Sequence, residues 1–119
     1  MKLEVGDVYL AKRDDIVDIK YKFQLYLDTD CIFLINTEKS KGSISVLVRK
    51  EECKLLEYDS WICIDTLFRY DKKFKIITKE QVNPDVLKRL QSLISMSNGL
   101  DKIKQRKVIE VIKEYFDNQ

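Results

Sequence analysis

Histidine is absent from the 119 residues. That removes the commonest general base, so any chemistry falls to carboxylates, Lys, Arg, Tyr, Ser, Thr or a Cys. Cysteine occurs three times, at Cys31, Cys53 and Cys63. An odd count with no C-x-x-C pair speaks against a disulfide framework and against a zinc site. Each cysteine lies in or beside an apolar run, which predicts buried, reduced thiols and a reducing, cytoplasmic setting. There is one Pro and there are three Gly, with no low-complexity tract and no internal repeat, so disorder is not expected beyond the extreme termini. The opening Met1-Lys2-Leu3-Glu4-Val5-Gly6 holds no apolar run of signal-peptide length, and no stretch is long enough to span a bilayer; no membrane partner is expected. Nor is there an excess of either charge: 22 Lys and Arg face 20 Asp and Glu, for a net +2. That balance does not point to bulk attraction to nucleic acid, but it leaves room for a local patch, since Lys20, Lys22, Lys39, Lys41, Arg49 and Lys50 fall near ends of apolar runs. The alternative for these cations is ordinary solvation.

What the chain does have is a dense series of short apolar runs between Tyr21 and Ile64. Tyr21 to Leu27 alternates apolar and polar, Cys31 to Ile35 is continuously apolar, Ile44 to Val48 is mostly β-branched, and Trp61 to Ile64 is apolar again. Each is too short for a helix and suits a pleated surface. The gaps carry turn chemistry at Asp28-Thr29-Asp30 and Lys39-Ser40-Lys41-Gly42-Ser43. A small, bent antiparallel sheet follows. Tyr21, Phe23, Leu25 and Leu27 share its core face, while Lys22, Gln24 and Tyr26 share the other, either a solvated face or the floor of a groove. Cys31 to Ile35, apolar on both faces, is expected to be central. Gly6-Asp7 opens a first strand at Val8, and Lys12 to Lys20 reads as a surface loop. Phe74 to Thr78 reads as a last strand.

After residue 79 the period changes. Asn83-Pro84-Asp85 is a helix start, with Asn as cap, Pro in the first turn and Asp at the positive end of the dipole. Val86, Leu87, Leu90, Leu93 and Ile94 follow at helical spacing, and Asn98-Gly99 is expected to supply a left-handed stop. Asp101 caps a second helix whose stripe is Ile103, Val108, Ile109, Ile112, Tyr115 and Phe116. It reads either as a lid on its own sheet or as a surface for a partner. The expectation is one domain over 1–119, an α+β, mainly β fold with strands over 5–79 and C-terminal helices over 83–98 and 101–117.

The order Gly6-Asp7-Val8-Tyr9, a polar loop, two hydrophobic strands, an Ile/Val-rich strand, an Asp-bearing strand and a helix resembles the MazF/PemK toxin family over roughly 5–99. The resemblance implies an SH3-like bent antiparallel barrel of about five to seven strands followed by helices. It implies a homodimer, a toxin of a toxin–antitoxin pair, and metal-independent endoribonuclease action on single-stranded RNA with no cofactor. The implied partner is a protein antitoxin whose tail lies across the RNA groove. Carried over residue by residue, Asp65 aligns with the family's strand Asp, and Thr37 and Ser40 fall where members have Thr or Ser. The family's Arg-Pro is replaced by Lys20-Tyr21-Lys22, so Lys22 is the nearest cation, and Cys63 stands in a second Arg place.

Cleavage through the 2′-hydroxyl needs a base, an acid and a cation at one phosphate. The candidate catalytic residues are therefore Asp65, Lys22, Thr37 and Asp59, and the candidate RNA contacts are Lys20, Ser40, Lys41, Arg49, Ser60 and Tyr26. Arg offers phosphate a planar fork and Lys a point charge, so without the two family arginines a catalytically silent member that binds a protein or nucleic acid is the alternative. Asp59-Ser60-Trp61 reads as base, phosphate contact and stacking ring, or as a turn before a core strand. Asp65 reads as a base or as a strand-end residue in an ion pair. Cys63 has no His to activate it as a nucleophile.

Overall fold

In the computed structural model, residues 2–13 and 20–119 are described. The acidic part of the expected loop, Asp14 to Asp18, lies outside them. The described chain is mainly β: six antiparallel strands in one sheet, then two helices. The strands are β1 (Asp7–Arg13), β2 (Lys20–Asp28), β3 (Cys31–Asn36), β4 (Ser45–Val48), β5 (Ser60–Cys63) and β6 (Phe74–Gln81). The helices are α1 (Pro84–Leu93) and α2 (Lys102–Asp117). The sheet order is β4-β5-β3-β2-β1-β6. It places β3 inside, as an apolar run on both faces requires. The ladder is open, with β4 and β6 at its edges, and bulges interrupt it at Leu10/Ala11 and at Tyr26/Asp28.

Alternation assigns the two faces. Val8, Leu25 and Phe33 sit side by side on β1, β2 and β3, all fully buried. They form one core with Val46, Val48 and Ile62 of the sheet and with Val86, Leu87, Leu90, Val108 and Ile112 of the helices. Each such side chain contributes about 1.5–3 kcal/mol by leaving water. α1 packs against β4 and α2 against β2, so both helices cover the same face. α2 is thus a lid on its own sheet.

The helix starts follow the sequence. Asn83 accepts the Asp85 amide at 2.9 Å, and Asp101 accepts the Lys104 amide at 2.9 Å. The stop of α1 does not. The helix tightens into a 3-10 turn at Ile94–Met96. Among the described residues positive φ occurs at Gly6 and Gly42, not at Gly99. Gly99 is needed for space instead: a Cβ there would stand 2.0 Å from the Asp65 carbonyl oxygen. The stripe of α2 also begins later than its spacing suggests. Val108 and Ile112 are buried, but Ile103 is 79% exposed. The lysines of α2 do not all face water either: Lys107 Nζ holds Asp30 at 2.5 and 2.6 Å and Asp28 at 3.7 Å, tying α2 to the β2–β3 turn. A cleft of about 670 Å³ lies between residues 4–5, that turn and the end of α2, with Asn118 and Gln119 in its wall.

Candidate functional site

The face opposite the core carries some of the sequence-predicted groups, Lys22 and Tyr26 among them. Ala11 pairs with Lys22, Asn36 with Trp61, and Trp61 with Leu47. Phe23 pairs with Ile35, so one step along the same register sets Lys22 beside Asn36. Lys22, Asn36, Trp61 and Leu47 therefore form one row across β2, β3, β5 and β4, with side chains on one face. Trp61 is half-buried there, while its neighbour Ile62 points into the core and is fully buried. Lys39 Nζ lies 5.2 Å from the centroid of the Trp61 ring, a cation–π contact. Beside it Asn36, Thr37, Glu38, Lys39 and Ser40 line a shallow, open hollow of about 340 Å³.

Thr37 follows the end of β3, Arg49 follows the end of β4 and Asp59 precedes β5, all at the end of the sheet that carries Lys22. Asp59 Oδ1 accepts the Lys50 amide at 2.9 Å and so caps the short 3-10 turn Lys50–Glu52. Ser60 is 2% exposed and its hydroxyl donates to the Tyr58 carbonyl at 2.9 Å. Its role is the turn, so the phosphate contact expected of it is not available. Arg49 is exposed. Lys41 is exposed too, but its turn precedes Ser43, which sits by Asp65 at the far end of the sheet. The side chain of Lys20 lies outside the described residues. Tyr26 is half-buried on this same face, four residues along β2 from Lys22.

Asp65 is not among these groups. It lies four residues beyond Trp61, about 13 Å along the strand direction and two strands away from Lys22. Its Oδ1 accepts the Asn98 amide at 3.0 Å and lies 3.0 Å from Ser97 Oγ, whose one proton is shared with the Ile64 carbonyl at 2.8 Å. Burial alone would push its carboxyl up. Hydrogen bonds from Ser97, the Asn98 amide, Ser43 and the Gly99 amide outweigh that and hold it below the ordinary carboxylate value. Asp65 is thus the anchor of the link between α1 and α2. The expected quartet Asp65, Lys22, Thr37 and Asp59 does not converge: three members share one end of the sheet and Asp65 the other.

The outer face continues past Gln24 and Leu34 to Tyr9 and Tyr26. Tyr9 is buried and donates to Gln24 Oε1 at 2.5 Å, which satisfies both groups. Burial, then the neighbouring Tyr70 and Tyr26, push its phenol far up, so it stays protonated. Cys31 and Cys53 are buried as expected; burial first, and then Asp30, push Cys31 up to about 11. Cys63 differs, being half-buried. No group of His, Cys, Asp and Glu suited to a metal ion occurs among the described residues, and no helix among them is long and apolar enough to cross a membrane.

Nothing local in the sequence connects Lys39, Asn36 and Trp61. Only the strand pairing sets Asn36 and Trp61 side by side, and a short-range pattern carries no record of it. Compared with known protein families and with characterised proteins, the chain matches no family model and no curated protein.

Proposed function

We propose that this protein binds single-stranded RNA across the outer face of its sheet, as a catalytically silent chain of MazF/PemK-like architecture. The observation that carries the reading is the Trp61 ring on that face, with Lys39 over it and Lys22 and Asn36 in the same row. An aromatic ring stacks on any base, which contributes about 1–3 kcal/mol per base, and lysines beside it neutralise the phosphates on either side. Lys39 shields the ring in the free protein and moves to a phosphate when a base takes its place. Cleavage asks for more: a base, an acid and a cation at one phosphate. Asp65 stands apart from the cations, and its carboxylate is occupied by the helix link.

The metal-independent endoribonuclease implied by the resemblance is the second reading. It rests on Asp59, the carboxylate that shares an end of the sheet with Thr37 and Lys22. One experiment separates the two. A labelled single-stranded RNA is titrated with protein in EDTA, anisotropy reports binding, and a gel reports its integrity. Saturable binding of intact RNA, weakened roughly tenfold or more by Trp61→Ala and also by Lys22→Gln, is the expected result. Cutting at discrete sites that is lost in Asp59→Ala would establish the second reading. A folded protein that neither binds nor cuts overturns both.

A further inference from the structure

A second aromatic place lies on the same face, about 13 Å along β2 from the Lys22 row. Tyr26 pairs with Ile32, and Ile32 forms an antiparallel bridge with Phe68. Tyr26, Ile32 and Phe68 are therefore side by side on the outer face. The backbone is locked at this point: the Ile32 amide donates to the Phe68 carbonyl at 3.0 Å, the Phe68 amide returns to Ile32 at 2.8 Å, and the Tyr70 amide donates to Thr29 at 2.6 Å. Phe68 and Tyr70 are nevertheless 41% and 39% exposed. From the other side the N-terminal arm closes in, held by Lys79 Nζ, which donates to the Lys2 carbonyl at 2.7 Å. Between them Lys2, Leu3, Tyr26, Thr29 and Tyr70 line an open pocket of about 250 Å³. That lies below the roughly 300–1,000 Å³ of drug-sized sites, so it admits a single ring system.

The lining selects what that ring carries. Two phenol rings offer flat apolar faces. The phenols and the Thr29 hydroxyl can donate or accept hydrogen bonds in the plane of a guest. The nearby acids do not make the place a cation trap, because Lys107 is already bound to Asp30 and Asp28. Lys2, an exposed lysine, also lines the cavity. Burial, then Asp28, Asp30 and Tyr70, push the Tyr26 phenol up, so it remains a donor.

We infer that this cavity is a nucleobase subsite, which takes one base with its phosphate toward Lys2. The base comes from a strand bound at Trp61 or from a free nucleotide. Only the first source rests on the single-strand reading above.

The two sources are told apart by two titrations of the full chain. In the first, the four nucleoside 5′-monophosphates are added singly and the amide resonances of Thr29 and Tyr70 are followed by NMR. Saturable shifts are expected, lost in Tyr70→Ala and weakened in Lys2→Gln. In the second, RNAs of increasing length are titrated against the native protein and Tyr70→Ala, whose exposed ring can be removed without opening the core. A strand long enough to reach from Trp61 to Tyr70 is expected to lose roughly tenfold in affinity in the variant. RNA binding that is indifferent to Tyr70→Ala at every length, with no shifts from mononucleotides, overturns the subsite and leaves the Trp61 reading standing. Shifts from mononucleotides without RNA binding support the subsite and overturn the Trp61 reading. Silence in both titrations overturns both.

Discussion

Asp65 shows how one side chain can look chemical in sequence and be architectural in space. An acidic residue at the end of a strand is compatible with a base, and no local pattern says otherwise. Its partners, Ser97, Asn98 and Gly99, are more than thirty residues away, so its role was not legible before the fold was known. Asp65→Ala is expected to cost about 1–3 kcal/mol through the loss of hydrogen bonds to a charged group from Ser97 and the Asn98 amide, read as a lower urea midpoint. The pH dependence has a definite sign. The folded carboxyl titrates below its unfolded value, so its contribution is fully present above about pH 4 and fades as pH falls through the folded value. The wild type is expected to lose stability in that acidic window more steeply than the variant. Gly99→Ala tests the same joint from the other side. Its methyl group would meet backbone, and the cost is expected at or above the upper end of the about 1–3 kcal/mol typical of overpacking. Among the thiols, Cys31 and Cys53 are buried and Cys63 is not. A thiol reagent is expected to modify Cys63 first in the native protein and the other two only on unfolding.

Elements were more readable than their ends. Period-2 and period-3.6 patterns mark what a strand or helix buries, and β2, β3, α1 and α2 all lie where those patterns put them. The caps at Asn83 and Asp101 were readable because a cap is a local hydrogen bond. The stop of α1 was not, because Gly99 answers a distant carbonyl rather than its own φ. Nor was the exposure of Ile103, since spacing shows which face of a helix is apolar but not how far along the helix the core extends. Two substitutions on α2 measure that difference. Ile112→Ala is expected to destabilise by about 2–5 kcal/mol, whereas Ile103→Lys should stay within about 0.5 kcal/mol, both by chemical denaturation. The Lys107 tie to the β2–β3 turn is exposed. Lys107→Met is expected to speed amide exchange in α2 while leaving the sheet's protection unchanged.

For the whole molecule, the near-neutral charge is a quantitative constraint on the proposed function. A strand on the outer face meets Lys22, Lys39 and Arg49 rather than a general positive field. Three neutralised phosphates predict a slope of about −2 in a plot of log affinity against log salt, at about −0.7 per phosphate for single strands. A much steeper slope would place the strand elsewhere on the protein. This site was half legible in the sequence. Lys22 and Tyr26 were assigned to the outer face by alternation within one strand. Their companions Lys39, Asn36 and Trp61 come from two other segments, and only the register joins them.

The cleft beside α2 carries a consequence for connectivity. Glu4 and Val5 share its wall with Asn118 and Gln119, so the segment before β1 and the end of α2 lie on one cleft. A short flexible bridge between them would leave the sheet and both helices in place, and new ends could be opened at Gly42, an exposed turn residue where an added Cβ would meet nothing within 4 Å. Such a circular permutant should fold with the same core. It would also cut the long connection between β3 and β4 while retaining every residue of the outer face.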